Sequence, residues 1–199
     1  MTAGADLEGL MLRYQEGESS AVREIYRLLA GPMLGYLTRF VGDRALAEDV
    51  LQECFVRVHK VRHTYQRGRP LRPWMYAIAR HVAVDELRRR KRRREIKDSD
   101  EVLDALPGED PREAPGQRDP VDLEGAMAEL PPSQREALVL TKLNGLSVRE
   151  AAAALNSSEG AVKVKVHRAM AKLRERLTGR THTDRQKKSE RLRSDRGAR

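Results

Sequence analysis

The sequence predicts an all-α protein built as two small helical domains joined by a flexible acidic linker. Three observations lead there. Aromatic residues make up 4% of the chain and charged residues 35%, and apolar residues recur at helical rather than alternating spacing. One acidic, proline-rich stretch interrupts that pattern. The length, 199 residues, suits one or two small cores rather than one large one.

Residues 5–94 form the first predicted domain. Leu7, Leu10, Met11 and Tyr14 share one helical face before Gly17. Ser19 or Ser20 is placed to cap a second helix carrying Val22, Ile25, Tyr26 and Leu29, which Gly31-Pro32 should end or kink. Met33, Leu34, Leu37, Phe40 and Val41 resume the pattern. Asp43 stands as N-cap to a helix from Arg44 to about Arg62, with Leu46, Val50, Phe55 and Val58 inward. Residues 63–73 carry Gly68, Pro70 and Pro73 and read as a loop. A further helix starts near Pro73, holds Trp74, Ile78, Val82 and Leu87, and runs into seven consecutive cations at 88–94. Trp74, an aromatic at helical spacing, reads as core.

Residues 95–124 are the predicted linker. Within 98–124 stand ten acidic residues, two basic ones and four prolines. Such a segment buries too little apolar surface to offset its ordering entropy. A chain of about 27 residues reaches some 90 Å at full stretch. The second domain spans 125–178, and residues 179–199 read as a disordered basic tail. Leu130-Pro131-Pro132-Ser133 sets up a helix with Ala137, Leu138 and Leu140 that stops near Asn144-Gly145. Ser147-Val148-Arg149-Glu150 is a capping box opening a short helix. Asn156-Ser157-Ser158 is a tight turn before a last helix from Glu159 to about Leu177.

The formal net charge is +9 and the pI near 10.0, so a polyanion is the expected partner: nucleic acid or an anionic membrane surface. Cys54, the single cysteine, excludes an intramolecular disulfide and a cysteine zinc cluster, and fits a reducing cytoplasm. Beside Phe55 it reads as a small buried hydrophobe. No signal peptide and no membrane span is recognisable, so a soluble, cytoplasmic chain without direct membrane insertion is expected. His59 and His63 lie one turn apart but lack a third ligand, and no phosphate-binding glycine loop occurs. No nucleophile with a basic cluster, and no carboxylate trio, stands out. The expectation is a protein that is not an enzyme, with no cofactor and no metal.

Two helices joined by a short turn make a helix-turn-helix. In the last helix Val162, Val166, Ala169 and Leu173 form one apolar stripe, while Lys163, Val164, His167 and Arg168 share another face, with Lys165 and Lys172 at the flanks. Cationic and polar side chains near the start of such a helix suit base edges in the major groove.

These strings are similar to a known family. Leu130-Pro131-Pro132-Ser133-Gln134-Arg135-Glu136-Ala137, then Gly145-Leu146-Ser147-Val148-Arg149-Glu150-Ala151-Ala152, resemble region 4 of the extracytoplasmic-function (ECF) sigma factors of the sigma-70 family. Gly42-Asp43-Arg44-Ala45-Leu46-Ala47-Glu48-Asp49-Val50-Leu51-Gln52-Glu53, then Trp74-Met75-Tyr76-Ala77-Ile78-Ala79-Arg80 and Asp85-Glu86-Leu87-Arg88-Arg89, resemble region 2. The resemblance implies a subunit that binds core RNA polymerase through its beta-prime and beta subunits, directs it to promoter DNA and helps to melt it. An anti-sigma factor is the further implied partner.

Residue by residue, it implies polymerase contacts at Asp49, Gln52 and Glu53. It implies −10 contacts at Tyr65, Arg67, Arg69, Arg80, His81, Asp85, Arg88 and Arg89. It implies −35 contacts at Ser158, Lys163, Val164, Lys165, His167 and Arg168. Two departures are visible: many relatives carry serine where Val164 stands and asparagine where His81 stands. Two other readings compete. A stand-alone helix-turn-helix regulator would have no need of the acidic motif followed by the long basic helix. A recombinase or transposase would need a catalytic set that is not evident.

Overall fold

The computed structural model describes residues 6–100 and 123–178, apart from the side chains of 94–100 and 178. Most of the expected linker and the whole of the expected tail lie outside these residues. The first domain comprises α1 (Leu7–Gln15), α2 (Ser19–Val41), α3 (Arg44–Val61), a short 3-10 turn (Arg62–Thr64) and α4 (Leu71–Asp100). The second comprises α5 (Leu123–Ala128), α6 (Pro132–Leu138) continued by a π-helical turn (Val139–Leu143), α7 (Val148–Ala154) and α8 (Glu159–Thr178). No strand occurs among the described residues. Helix α4 therefore reaches Asp100, into the segment expected as linker.

Local sequence accounts for most helix ends. The Asp43 side chain accepts the Leu46 N–H at 3.0 Å and starts α3 as expected. Ser147 and Glu150 form the expected capping box, with bonds of 3.2 and 2.8 Å. Two expectations need correction. Neither Ser19 nor Ser20 caps α2: Glu18 occupies the N-cap position, and its carboxylate is taken by Arg13 and the Ser20 hydroxyl. Nor does Pro32 end α2, which runs unbroken to Val41. Leu29, Met33, Tyr36 and Leu37 along that helix are all buried. Their burial, at about 2 kcal/mol for each large apolar side chain, outweighs one forfeited backbone hydrogen bond. The true stop is Gly42, at φ +79°, where a left-handed residue closes the helix.

Met11, Ile25, Leu29, Met33, Leu37, Val50, Cys54, Val58, Leu71 and Met75 are buried in the first domain and Leu130, Ala137, Leu140, Ala151, Val162 and Ala169 in the second, and together they belong to one apolar cluster. The three alanines of α7 buried at 151, 152 and 154 keep that helix thin. It lies between α8 on one side and α4 on the other, so the two domains touch. Cys54 is fully buried, and that burial pushes its thiol up to about 12. The thiolate needed for redox chemistry is thereby suppressed.

Helix α4 begins two residues before the expected Pro73, and its first free N–H is satisfied from a distance. The Leu71 N–H donates to the Glu8 carboxylate on α1 at 2.9 Å. Replacing Glu8 by Ala removes this remote cap. A loss of about 1 kcal/mol of unfolding free energy is expected, read as a lower denaturant midpoint at unchanged slope.

Candidate nucleic-acid and polymerase interfaces

The helix-turn-helix is formed by α7, a four-residue turn and α8. The turn depends on Asn156 in the left-handed region at φ +48°, a conformation that asparagine tolerates, and on the Ser157 N–H reaching the Ala152 carbonyl at 2.9 Å. Ser158 accepts the Ala161 N–H at 3.1 Å. It thus serves first as the cap of α8, which leaves its exposed position as the contribution to a DNA surface. On α8 Val162, Ala169 and Leu173 are buried and Val166 half-buried, as the apolar stripe requires. Lys163, Val164, His167 and Arg168 are exposed across the opposite face, with Val164 at 48%. Lys165 is half-buried at the flank. The far end of α8 is clamped to the end of α5: Arg176 pairs with Glu129 at 2.9 Å and Lys172 donates to the Glu129 carbonyl at 2.9 Å.

A second cationic surface runs along α4. Trp74, Ala77, His81, Asp85 and Arg88 recur at spacings of three and four residues, hence on one face. His81, Asp85, Arg88 and Arg89 are exposed. Asp85 and Glu86 pair with Arg88, Arg89 and Arg90 at 4.0, 3.2 and 3.4 Å. Exposed pairs of this kind are weak and leave the cations available to a stronger anion. Arg67 and Arg69 stand exposed on the loop before α4.

Two of the residues implied at the −10 element, Tyr65 and Arg80, and the expected core residue Trp74 sit otherwise than expected. Tyr65 is 5% exposed, not presented for stacking: its hydroxyl donates to the Arg69 carbonyl, and its ring meets Trp74 edge-on at 5.5 Å. It shapes the loop that displays Arg67 and Arg69. Trp74 is half-buried rather than sealed in the core. Arg80 lies off the α4 stripe, and its Nε donates to the Glu136 carboxylate of α6 at 3.0 Å.

Asp49, Gln52 and Glu53 are all exposed on α3. Val56, one turn further along the same sector, is 45% exposed, and neighbouring Phe55 stacks on Tyr26 at 4.8 Å. Tyr26 is itself 47% exposed. The acceptors therefore border an apolar patch, the usual make-up of a protein-binding surface with a polar rim. Sequence reasoning missed Val56, although its spacing of seven from Asp49 was readable. It also missed Glu136, whose burial depends on a residue of the other domain.

Among the described residues no cluster of three or more His, Cys, Asp or Glu side chains is placed to hold a metal, and no helix is long and apolar enough to cross a membrane.

Comparison with known proteins agrees with this geometry. Residues 25–93 match the family model of sigma-70 region 2, and residues 121–173 match that of sigma-70 region 4. The chain is 38% identical over 172 residues to the ECF RNA polymerase sigma factor SigF of Caulobacter vibrioides, covering 86% of this chain and 93% of that one. It is 33% identical over 175 residues to the RNA polymerase sigma factor CarQ of Myxococcus xanthus, covering 84% and 95%. Among solved structures it resembles the sigma factor RpoE of Bartonella quintana, crystallised with the anti-sigma factor NepR. The TM-score is 0.62 at 27% identity, over 79% of this chain and 96% of that one. The stand-alone regulator is not favoured by these matches. With a region 2 bundle and a region 4 helix-turn-helix in family order, the chain belongs to the ECF sigma factors, which direct RNA polymerase to promoters.

Proposed function

We propose that this sigma factor divides its work among three surfaces. Asp49, Gln52 and Glu53, around the apolar Val56, dock on basic and apolar groups of the beta-prime subunit, while the beta subunit takes the second domain. Arg67, Arg69, His81, Asp85, Arg88 and Arg89, with Arg80 once freed, hold the non-template strand of the −10 element; Tyr65 positions their loop. Capturing a base there costs a few kcal/mol of lost stacking, which phosphate contacts and a half-buried Trp74 must offset. Lys163, Val164, His167 and Arg168 read the −35 duplex, with Lys165 and the Ser158 turn on phosphates. Val164 offers a methyl contact in place of a polar one, which suits a thymine.

One observation carries this reading: two exposed cationic helical faces, on α4 and on α8, occur in separate domains of one chain. A protein that reads two spaced DNA elements needs that arrangement, and a single duplex site does not. The chain acts without catalysis of its own and without a cofactor, in the cytoplasm, under the control of an anti-sigma factor. The last point is supported by the relative from Bartonella quintana, which is held by one.

Replacing Lys163 and Arg168 by Glu should abolish −35-dependent transcription in vitro while core polymerase is still bound; a loss of core binding would contradict the assignment. Replacing Asp49 and Glu53 by Lys should give the reverse, with core affinity lost and the −35 duplex still bound. Promoter binding by the holoenzyme should weaken steeply with salt. The slope should fall by about one for each phosphate-contacting cation removed. A slope unchanged by removing Arg88 and Arg89 would remove them from the DNA surface.

A further inference from the structure

The loop that carries Arg67 and Arg69 is tied internally by short-range bonds. The Tyr65 N–H donates to the Arg62 carbonyl at 3.1 Å, the Arg69 N–H to the Gln66 carbonyl at 3.2 Å, and the Tyr65 hydroxyl to the Arg69 carbonyl. Both ends of the loop are held from α1. Gln15 Nε2 donates to the Arg62 carbonyl at 2.7 Å and to the Tyr65 carbonyl at 3.0 Å, where the 3-10 turn opens into the loop. The Glu8 carboxylate takes the Leu71 N–H where the loop passes into α4. Both acceptors of Gln15 are carbonyls, so its amide nitrogen must face them; the flipped amide would set oxygen against oxygen.

The two holds share one helical face. Glu8 and Gln15 stand seven residues apart, two turns and about 10 Å along α1. Met11, between them on that face, is fully buried. Tyr14 adds a third grip: its hydroxyl bonds His59 Nδ1 at 2.6 Å, and the Arg62 guanidinium lies over its ring at 5.7 Å. Helix α1 precedes the stretch that matches sigma-70 region 2, which begins at residue 25. Gln15 is half-buried, and its amide has two N–H donors, both needed for the two carbonyls. It has no donor left for DNA and acts on DNA only through the loop.

We propose that Gln15 is a positioning residue for −10 recognition. Through it, α1 fixes the loop that presents Arg67 and Arg69, and so sets which −10 sequences are accepted. This rests on the assignment of that loop to the −10 element above. Tyr65 carries the constraint onward: its carbonyl meets Gln15, its hydroxyl meets the Arg69 carbonyl, and its ring meets Trp74 at 5.5 Å. A loop freed from α1 would have to be ordered by the DNA itself, at the expense of affinity for the matched sequence.

The test uses the full chain with Gln15→Glu, which keeps the side-chain shape but removes both donors, and Gln15→Leu, which keeps the bulk. Trp74 is the only tryptophan, so its fluorescence reports the loop without DNA. Acrylamide quenching of Trp74 should rise in both variants as Tyr65 leaves it. Open-complex formation with core polymerase is then compared on a promoter first mapped with the unaltered holoenzyme, and on versions carrying single −10 substitutions. Discrimination between matched and substituted elements should narrow by about five- to tenfold, the worth of one to two hydrogen bonds. Affinities for core polymerase and for the −35 duplex should stay unchanged. Unchanged quenching would overturn the proposal. So would transcription that falls equally on every −10 sequence, since Gln15 would then serve only the fold. If Gln15→Glu fails to fold by circular dichroism, Gln15→Leu decides the matter. If the unaltered holoenzyme does not discriminate among −10 sequences, the assignment of that surface falls and the proposal with it, even where raised quenching shows that Gln15 holds the loop.

Discussion

A carboxylate shut between two domains is the constraint on which the rest of this structure turns. Glu136 loses most of its hydration, and an unpaired charge there would cost several kcal/mol. The two donors that compensate it, Tyr36 and Arg80, are both supplied by the other domain. The second domain cannot keep Glu136 both buried and satisfied unless it stays seated on α2 and α4. Separation must hydrate the carboxylate, which polarity and nearby crevices make tolerable.

The charge distribution fits the same picture. With a net charge of +9, the chain as a whole attracts a polyanion. On α4 the cations are partly answered by Asp85 and Glu86, one turn away. On α8 the exposed face is neutral or cationic from Lys163 to Arg168. The α4 cations are thereby tempered and the α8 face left open.

Much of this was legible in the residues. The capping box at Ser147, the N-cap at Asp43 and the apolar stripe of α8 follow from local rules and are present as read. The all-α, two-domain plan follows from spacing and composition. What local rules could not supply was any arrangement in which one segment completes another. Glu8 caps α4 across 63 residues of chain, so the helix starts before the proline that marked it. Pro32 does not break α2, because Leu29, Met33, Tyr36 and Leu37 around it are buried by tertiary packing that local rules do not see. Tyr65 was expected among the −10 contacts, and is buried because Trp74 and the Arg69 carbonyl meet it. Glu136 stood in the region 4 string without a role of its own, because both its partners lie in the other domain.

The proposed reading of two spaced DNA elements requires the two domains, which touch in this structure, to be held apart on the promoter. Pulsed dipolar spectroscopy measures this directly, with spin labels at Arg23→Cys on α2 and Glu175→Cys on α8, both exposed sites. Buried Cys54, its thiol pushed up to about 12, should take no label. One narrow, short distance in the free chain that becomes markedly longer in the promoter-bound holoenzyme is the predicted result. A distance unchanged by assembly with polymerase and promoter would contradict the account.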